Sequence, residues 1–346
     1  MDGVDAAMVL SDGEAVFEFG ATGFRPYSQH ERALIANAQG GWPGEARVDL
    51  AAAVVEKAHV DLVARFGGAA LVGFHGQTLA HDPDGGKTHQ AGDGAAVARA
   101  VGLPIAWDFR TADMAAGGQG APLAPFYHFA LARRFDLGRV AFLNLGGVGN
   151  VTFVDPTRPG PEAPGALLAF DTGPANALLD DFMHQRTGLA CDYGGALAAL
   201  GKPDTKIVAG FLAHPYFGAR PPKSLDRNTF AGLAGEVAAL GDADGLATLA
   251  ECTVQAVAAG MQLAGLTTEK LLVCGGGRKN AHLMTRLGDC LNFPVSDVDD
   301  AGMDGDMLEA QAFACLAIRV QRGLPISAPG TTGVAAPQAG GRISLP

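Results

Sequence analysis

The sequence predicts an α/β protein folded as two lobes. Its 346 residues exceed the ~250 at which a single core stops growing. Short apolar runs of strand length alternate, in two series along the chain, with segments of helical period. Glycine is frequent, 49 residues without a collagen-like period, and it clusters where the apolar runs end. A hydrophobic share of 48% against 18% charged residues excludes disorder as the main state.

The first series opens with a hairpin, Val4 to Leu10 and Glu14 to Phe19, joined by the turn Ser11-Asp12-Gly13. A helix is expected over Asp49 to Phe66, where Leu50, Val54, Ala58, Leu62 and Phe66 recur at helical spacing before Gly67-Gly68. A buried strand over Ala69 to Phe74 ends on His75-Gly76. Gly92 to Val101 reads as a helix and Leu103 to Trp107 as a short strand. In the second series, Val140 to Leu145 is a strand ending in Gly146-Gly147, and Asn150 to Val154 is its neighbour. Leu167 to Phe170 leads into Asp171, and a helix follows Pro174. Gly245 to Leu263 is a long helix and Leu271 to Cys274 a buried strand; Gly275-Gly276-Gly277 then opens the helix Ala281 to Cys290. The last helix is expected over Asp306 to Arg322. The Pro-rich stretch Thr157 to Pro164 reads as a loop between strands, not a linker. Residues 1–130 with 331–346 would form the first lobe and 131–330 the second, with ligands in the cleft beyond the strand ends.

The formal net charge is −11 and no run of Lys or Arg forms a stripe, which argues against nucleic acid as a partner. The five cysteines show neither CxxC nor Cys/His ligand spacing, so they read as reduced, buried small side chains with no metal site. No stretch approaches the ~20 apolar residues of a membrane span, and the acidic start lacks the features of a signal peptide. The expected compartment is the cytoplasm.

Chemistry is expected at the polar, glycine-rich strand ends. His75-Gly76-Gln77-Thr78 offers donors and acceptors after a buried strand, where a plain turn would explain Gly76 alone. Arg110, in Asp108-Phe109-Arg110, is a candidate clamp for a carboxylate or phosphate through its planar fork, or else a structural ion pair with Asp108 or Asp113. Gly146-Gly147-Val148-Gly149 and Gly275-Gly276-Gly277 would let backbone amides approach phosphate. Neither fits GxxxxGK[ST], which excludes a Walker loop, and no clear GxGxxG supports a dehydrogenase. Asp171-Thr172-Gly173-Pro174 is the most specific element. A carboxylate fixed at a strand end suits a general base, and a helix N-cap is the alternative. Glu309, with Met303-Asp304-Gly305-Asp306, stands at the start of the last helix, where acidic residues also compensate the dipole.

Seven segments together resemble the bacterial anhydro-N-acetylmuramic acid kinase family. They are Gly73–Pro83 (GFHGQTLAHDP), Asp108–His128, Asn144–Thr152 (NLGGVGNVT), Ala169–Phe182 (AFDTGPANALLDDF), Pro215–Phe230, Cys274–Met284 (CGGGRKNAHLM) and Gly302–Ala317. The resemblance implies an actin-like ATPase fold of two RNase H-like lobes. It implies opening of 1,6-anhydro-N-acetylmuramic acid by water and phosphorylation of O6 from ATP with Mg2+, giving N-acetylmuramic acid 6-phosphate in peptidoglycan recycling. By motif, Asp171 would activate the water and Thr78, Arg110 and Glu309 would contact the sugar. Asp2, Gly3, Asp5, Gly146, Gly147, Gly275, Gly276 and Gly277 would hold ATP. The resemblance also suggests a homodimer. A glycoside hydrolase that does not use ATP, and an ATP-binding but inactive homologue, are the alternatives. Against the family's pattern the chain starts inside the first motif, at Met1-Asp2-Gly3-Val4-Asp5. The first strand and most of the first phosphate loop are therefore expected upstream of Met1, and without them the Val4–Leu10 strand would lack a neighbour.

Overall fold

The computed structural model describes residues 2–83, 85–225 and 229–346. The chain begins with the expected hairpin, β1 (Gly3–Ser11) and β2 (Val16–Pro26). Asp12 builds its turn: Oδ1 accepts the amides of Glu14 and Ala15 at 2.9 and 2.7 Å, and Gly13 takes φ +87°. Helices α1 (Gln29–Asn37) and α2 (Ala46–Val63) follow, the first started by a reciprocal cap between Ser28 and Glu31. Then come β3 (Val72–Gly73), the hairpin β4 (Gln77–Asp82) and β5 (Lys87–Ala91), α3 (Gly94–Val101), β6 (Ile105–Trp107), α4 (Thr111–Ala115) and α5 (Pro125–Arg134).

The second series runs β7 (Val140–Leu145), β8 (Val148–Val154), β9 (Leu167–Pro174), α6 (Asn176–Thr187), α7 (Thr205–Leu212), α8 (Gly232–Val237), α9 (Asp242–Ala264), β10 (Lys270–Cys274), α10 (Ala281–Cys290) and β11 (Val295–Asp297). The chain closes with α11 (Leu308–Gln321), β12 (Pro325–Ser327), α12 (Pro329–Thr332), β13 (Gln338–Ala339) and β14 (Arg342–Ser344).

These elements form two compact α/β units. The first holds Met1–Asp136, Arg158–Leu167 and Met307–Pro346, and the second Leu137–Thr157 and Leu168–Asp306. In the second, five strands lie in the order β11-β10-β7-β8-β9, with β7 parallel to β10 and antiparallel to β8. Leu143, Phe170, Leu271 and Val273 of the strands and Val257 of α9 are buried in its core, and β7 and β10 read as near-continuous apolar runs because both faces are covered. The first unit carries four small sheets, β1-β2, β14-β6-β3, β4-β5 and β12-β13, and a core that includes Ile35, Val55, Leu62, Phe74 and Ile105.

Several boundaries differ from the sequence reading for identifiable reasons. The strand expected over Ala69–Phe74 shrinks to Val72–Gly73, because only Val72 N–H and Phe74 N–H find partners, on Pro104 O and Ala106 O, on its β6 side. The last helix starts at Leu308, since the Asp306 carboxylate is drawn instead to Arg278 and Lys279, both at 2.9 Å. That helix was expected in the second lobe; it belongs to the first unit because it packs on β1 and β3. The loop 158–167 joins it there, with Glu162 3.3 Å from Arg319.

Candidate active site

In the first unit a single groove of about 890 Å³ is lined by Gly3, Asp5, Thr78, Arg110 and Glu309, five of the residues singled out from the sequence. Asp2 does not line it. Thr78 stands on β4, where its hydroxyl accepts from Gln90 Nε2 at 3.3 Å. Glu309 is exposed in the first turn of α11.

Arg110 is held in place by partners other than Asp108 or Asp113. Its Nη1 donates to Gly120 O at 2.8 Å, while Nε and Nη2 both point at His75 Nε2, at 3.2 and 2.8 Å. The His75 Nδ1 lies 3.0 Å from Gly76 O, so the ring donates there and accepts from the guanidinium through Nε2. Burial and the cation together keep His75 well below the usual histidine pKa, so it stays neutral. One N–H on each Nη of Arg110 is left for a ligand. Asp108 pairs instead with Arg342 at 2.8 Å. Asp113, 1% exposed, accepts from Gly120 N, Thr332 Oγ1 and Ser327 Oγ, and so fixes the Gly117–Gly120 loop that Arg110 leans on.

In the second unit Asp171 lies within β9, which continues to Pro174, and not beyond the strand's end. It caps no helix: Ala175 is the N-cap of α6, without a side-chain bond. Its backbone is pinned on both sides, N–H to Lys223 O at 3.0 Å and C=O accepting from the Tyr216 hydroxyl. The carboxylate accepts one bond, from Leu225 N at 2.7 Å, and among the described residues no cation pairs with it. Burial therefore dominates, and its pKa rises from the ordinary 3.8 to about 6. A partly buried carboxylate tuned toward neutrality and rigidly held is equipped to take a proton. Lys223 donates to Tyr216 O at 2.8 Å, with its ammonium 4.2 Å from the Tyr216 ring centre, so its charge is spent on that loop.

The two glycine runs divide by what a side chain would meet. A Cβ on Gly275 would fall 2.2 Å from Asn144 Oδ1, and one on Gly277 2.4 Å from Leu145 Cβ; these two are required by packing against the end of β7. Gly275 also takes φ +74°. At Gly146, Gly147 and Gly276 the nearest heavy atoms stand at 3.6, 3.5 and 3.6 Å, so packing does not demand glycine there. Room kept bare of side chains beside backbone amides suits a phosphate. The run Gly275–Gly277 enters a 3₁₀ turn, Gly276–Lys279, and does not itself open α10, whose N-terminus is capped by Asn280 through Leu283 N.

The sequence model of the family described as Anhydro-N-acetylmuramic acid kinase matches residues 1–345. The chain belongs to the anhydro-N-acetylmuramic acid kinase family. It is 60% identical to the anhydro-N-acetylmuramic acid kinase of Cereibacter sphaeroides, over 100% of this chain and 94% of that protein. It is 57% identical to anhydro-N-acetylmuramic acid kinase 1 of Jannaschia sp., over 100% and 92%. A solved structure, the activator of the 2-hydroxyisocaproyl-CoA dehydratase from Clostridium difficile with bound ADPNP, aligns with a TM-score of 0.47 and 10% identity, over 92% of this chain and 96% of that one.

The residues that hold the candidate ones in this kinase carry weaker signals in the sequence. His75 belongs to the polar strand end His75–Thr78 expected from the sequence, and its ring holds Arg110. Tyr216, Lys223 and Leu225 sit in the Pro215–Phe230 segment, whose resemblance was plain but whose partner, 45 or more residues earlier, was not. Asp226, Arg227 and Asn228 of that segment lie outside the described residues.

Proposed function

We propose that this family member opens 1,6-anhydro-N-acetylmuramic acid with water and transfers the γ-phosphoryl group of ATP to O6, with Asp171 as the base. The water oxygen bonds to the anomeric carbon, the bond from that carbon to O6 breaks, and O6 attacks the γ-phosphorus. ADP leaves, N-acetylmuramic acid 6-phosphate forms, and the water proton passes to Asp171. The observation that carries the assignment of the base is the Asp171 carboxyl, raised to about 6 and lacking a cationic partner among the described residues. A base with a pKa near working pH combines the right protonation state with driving force for proton transfer.

Arg110 and Thr78 would hold the sugar, Arg110 through the N–H groups that His75 and Gly120 leave over, and Glu309 would accept a sugar hydroxyl. Gly146, Gly147 and Gly276 would bring amides to the phosphates of ATP, with Gly275 and Gly277 giving the second loop its shape. Among the described residues no three His, Cys, Asp or Glu side chains gather into a metal site. Mg2+ would arrive bound to ATP and keep most of its waters. Such an ion neutralises charge on the phosphates during transfer. No described helix is long and apolar enough to cross a membrane, and a reaction that consumes ATP belongs in the cytoplasm.

A coupled assay of ADP release with the anhydro sugar and MgATP tests the reading. ADP release that requires the sugar supports it. Ring opening without ATP would make the protein a hydrolase, and ATP binding without turnover an inactive homologue.

A further inference from the structure

The two glycine runs of the second unit meet at one side chain. Leu145 ends β7, and its carbonyl oxygen stands 2.9 and 3.2 Å from where a Cβ would fall on Gly275 and Gly277. Asn176, the first residue of α6, donates its side-chain Nδ2 to that same oxygen at 2.8 Å. A carbonyl oxygen only accepts, so the atom facing it is the amide nitrogen and the orientation of Asn176 is fixed. The backbone is held as firmly. Asn176 N–H donates to Gly146 O at 2.9 Å, and those of Ala175 and Ala177 donate to Gly147 O at 3.1 and 3.2 Å. These three amides at the start of α6 are therefore taken by the Gly146-Gly147 turn and are not available to an anion. What remains at this corner is the second N–H of Asn176 Nδ2, since among the described residues the side chain bonds Leu145 O alone. It borders the bare space over Gly276. Apart from chain neighbours, the one heavy atom within 4 Å of a Cβ built on Gly276 is Asn176 Nδ2, at 3.6 Å. Neither packing nor a left-handed backbone requires glycine at that position. The cations that follow the run have their charge met by Asp306: Arg278 Nη1 and Lys279 Nζ both reach its carboxylate at 2.9 Å.

We propose that Asn176 binds the phosphate chain of ATP directly: Nδ2, anchored through one N–H to Leu145 O, gives its other N–H to a phosphate oxygen seated over Gly276. The proposal deepens the kinase reading and rests on it, since that reading places ATP at the glycine runs. The anchor strengthens the contact. A side chain already oriented by the protein loses little rotamer freedom when the nucleotide arrives. A hydrogen bond to an ionised acceptor is also stronger than one between neutral groups. Because Asn176 is bonded through its backbone to Gly146 and borders Gly276 through its side chain, the anion it takes is placed by both runs together. Glycine at 276 then has a cause. Any Cβ there would stand against the donor and occupy the place of the phosphate oxygen.

The test is a series of binding titrations with adenosine, AMP, ADP and a non-hydrolysable ATP analogue, each with Mg2+. The parent, Asn176→Ala, Gly276→Ala and the double variant are compared. Asn176→Ala should bind adenosine within about twofold of the parent. It should lose ~10–100-fold in affinity once the phosphate it holds is present, the worth of a hydrogen bond to a charged group. The step of the series at which the loss appears names that phosphate. Gly276→Ala leaves the bond to Leu145 O intact and fills the space from the other side, so it should give the same pattern, and it decides alone if Asn176→Ala does not fold. The double variant should lose little more than the greater of the single losses, because both changes remove one contact. Equal losses for adenosine and the ATP analogue would make Asn176 a structural support of the loop and overturn the proposal. Unchanged affinity for every ligand, in variants whose parent does bind them, overturns it alone and leaves the kinase reading standing. A parent that binds none of the four overturns that reading and the proposal with it.

Discussion

Replacing Asp171 by Asn should make the protein more stable and nearly inactive at once. The carboxyl is raised from 3.8 to about 6 by burial, so the folded state favours its neutral form. The stability this preference confers is complete below the unfolded-state value and is lost as pH rises through about 6. A shift of roughly two units corresponds to ~3 kcal/mol of penalty on the charged form at pH 8. Asn is neutral at every pH, keeps an oxygen for Leu225 N, and escapes that penalty. The variant should therefore melt above the parent by ~6–12 °C at pH 8, taking about 2–4 °C per kcal/mol for a unit of this size. The gap should close toward zero near pH 4. Turnover at pH 8 should fall by ~10²–10⁴, the worth of a general base, and the parent's kcat/KM should lose activity on the acid side near pH 6. Thermal melts at pH 4, 6 and 8, with ADP release measured on the same samples, carry the test. A melting difference of the same size at all three pH values, or a variant within threefold of parental turnover, would refute the assignment.

Arg110→Lys should raise the sugar KM by ~10-fold or more with kcat changed far less, because an ammonium bonded to His75 and Gly120 keeps one N–H where the guanidinium keeps two in a fixed planar fork; an unchanged KM would leave Arg110 a purely structural role. Gly275→Ala should lower the melting temperature, since its φ of +74° and the 2.2 Å approach of Asn144 Oδ1 cost on the order of 1–3 kcal/mol or more. Gly276→Ala should melt like the parent and instead raise the KM for ATP, and the reverse pattern would place the phosphates elsewhere. Asp306 is held at about 2 by Arg278, so its contribution is present above the ordinary 3.8 and fades as pH falls through 2. Exposure limits it, and Asp306→Asn should cost no more than ~1 kcal/mol at pH 7 in denaturant titrations, with no loss near pH 2.

What the sequence disclosed depended on how local the cause was. The Ser11-Asp12-Gly13 turn and the strands β7 and β10 are set by residues within a few positions, and their periodicity or turn chemistry announced them. The hairpin β4–β5 escaped notice because Thr78, His81, Thr88 and Gln90 give its strands no apolar alternation; its polar cross-strand pairs, such as Gln90 with Thr78, exist only once the chain has folded back. The extent of β9 was misjudged for a related reason. Thr172-Gly173-Pro174 reads as a break, yet Thr253 of α9 donates its hydroxyl to Pro174 O at 3.1 Å and the extended chain persists. At the candidate site, residue types were legible and their wiring was not. Asp171 stood out by its neighbours in sequence, whereas the burial that raises its pKa and the one bond its carboxylate accepts, from Leu225 N, exist only in the folded chain.

The first unit is assembled from both ends of the chain, and this orders its birth on the ribosome. Strand β14 pairs with β6 antiparallel, from Arg342 on Trp107 to Ser344 on Ile105, and the Trp107 indole donates to Ser344 Oγ at 3.0 Å. Helix α11, which underlies β1 and β3, is made only after residue 307. The second unit lies wholly between these pieces, so it can emerge and close its five strands while the first hundred residues still await their floor and outer edge. During translation the earliest segment synthesised is thus the last to be buried, and β1, β3 and β6 pass that interval with open edges exposed to chaperones and to neighbouring nascent chains. Slower elongation over the middle of the message would lengthen that exposure without altering a residue of the finished protein.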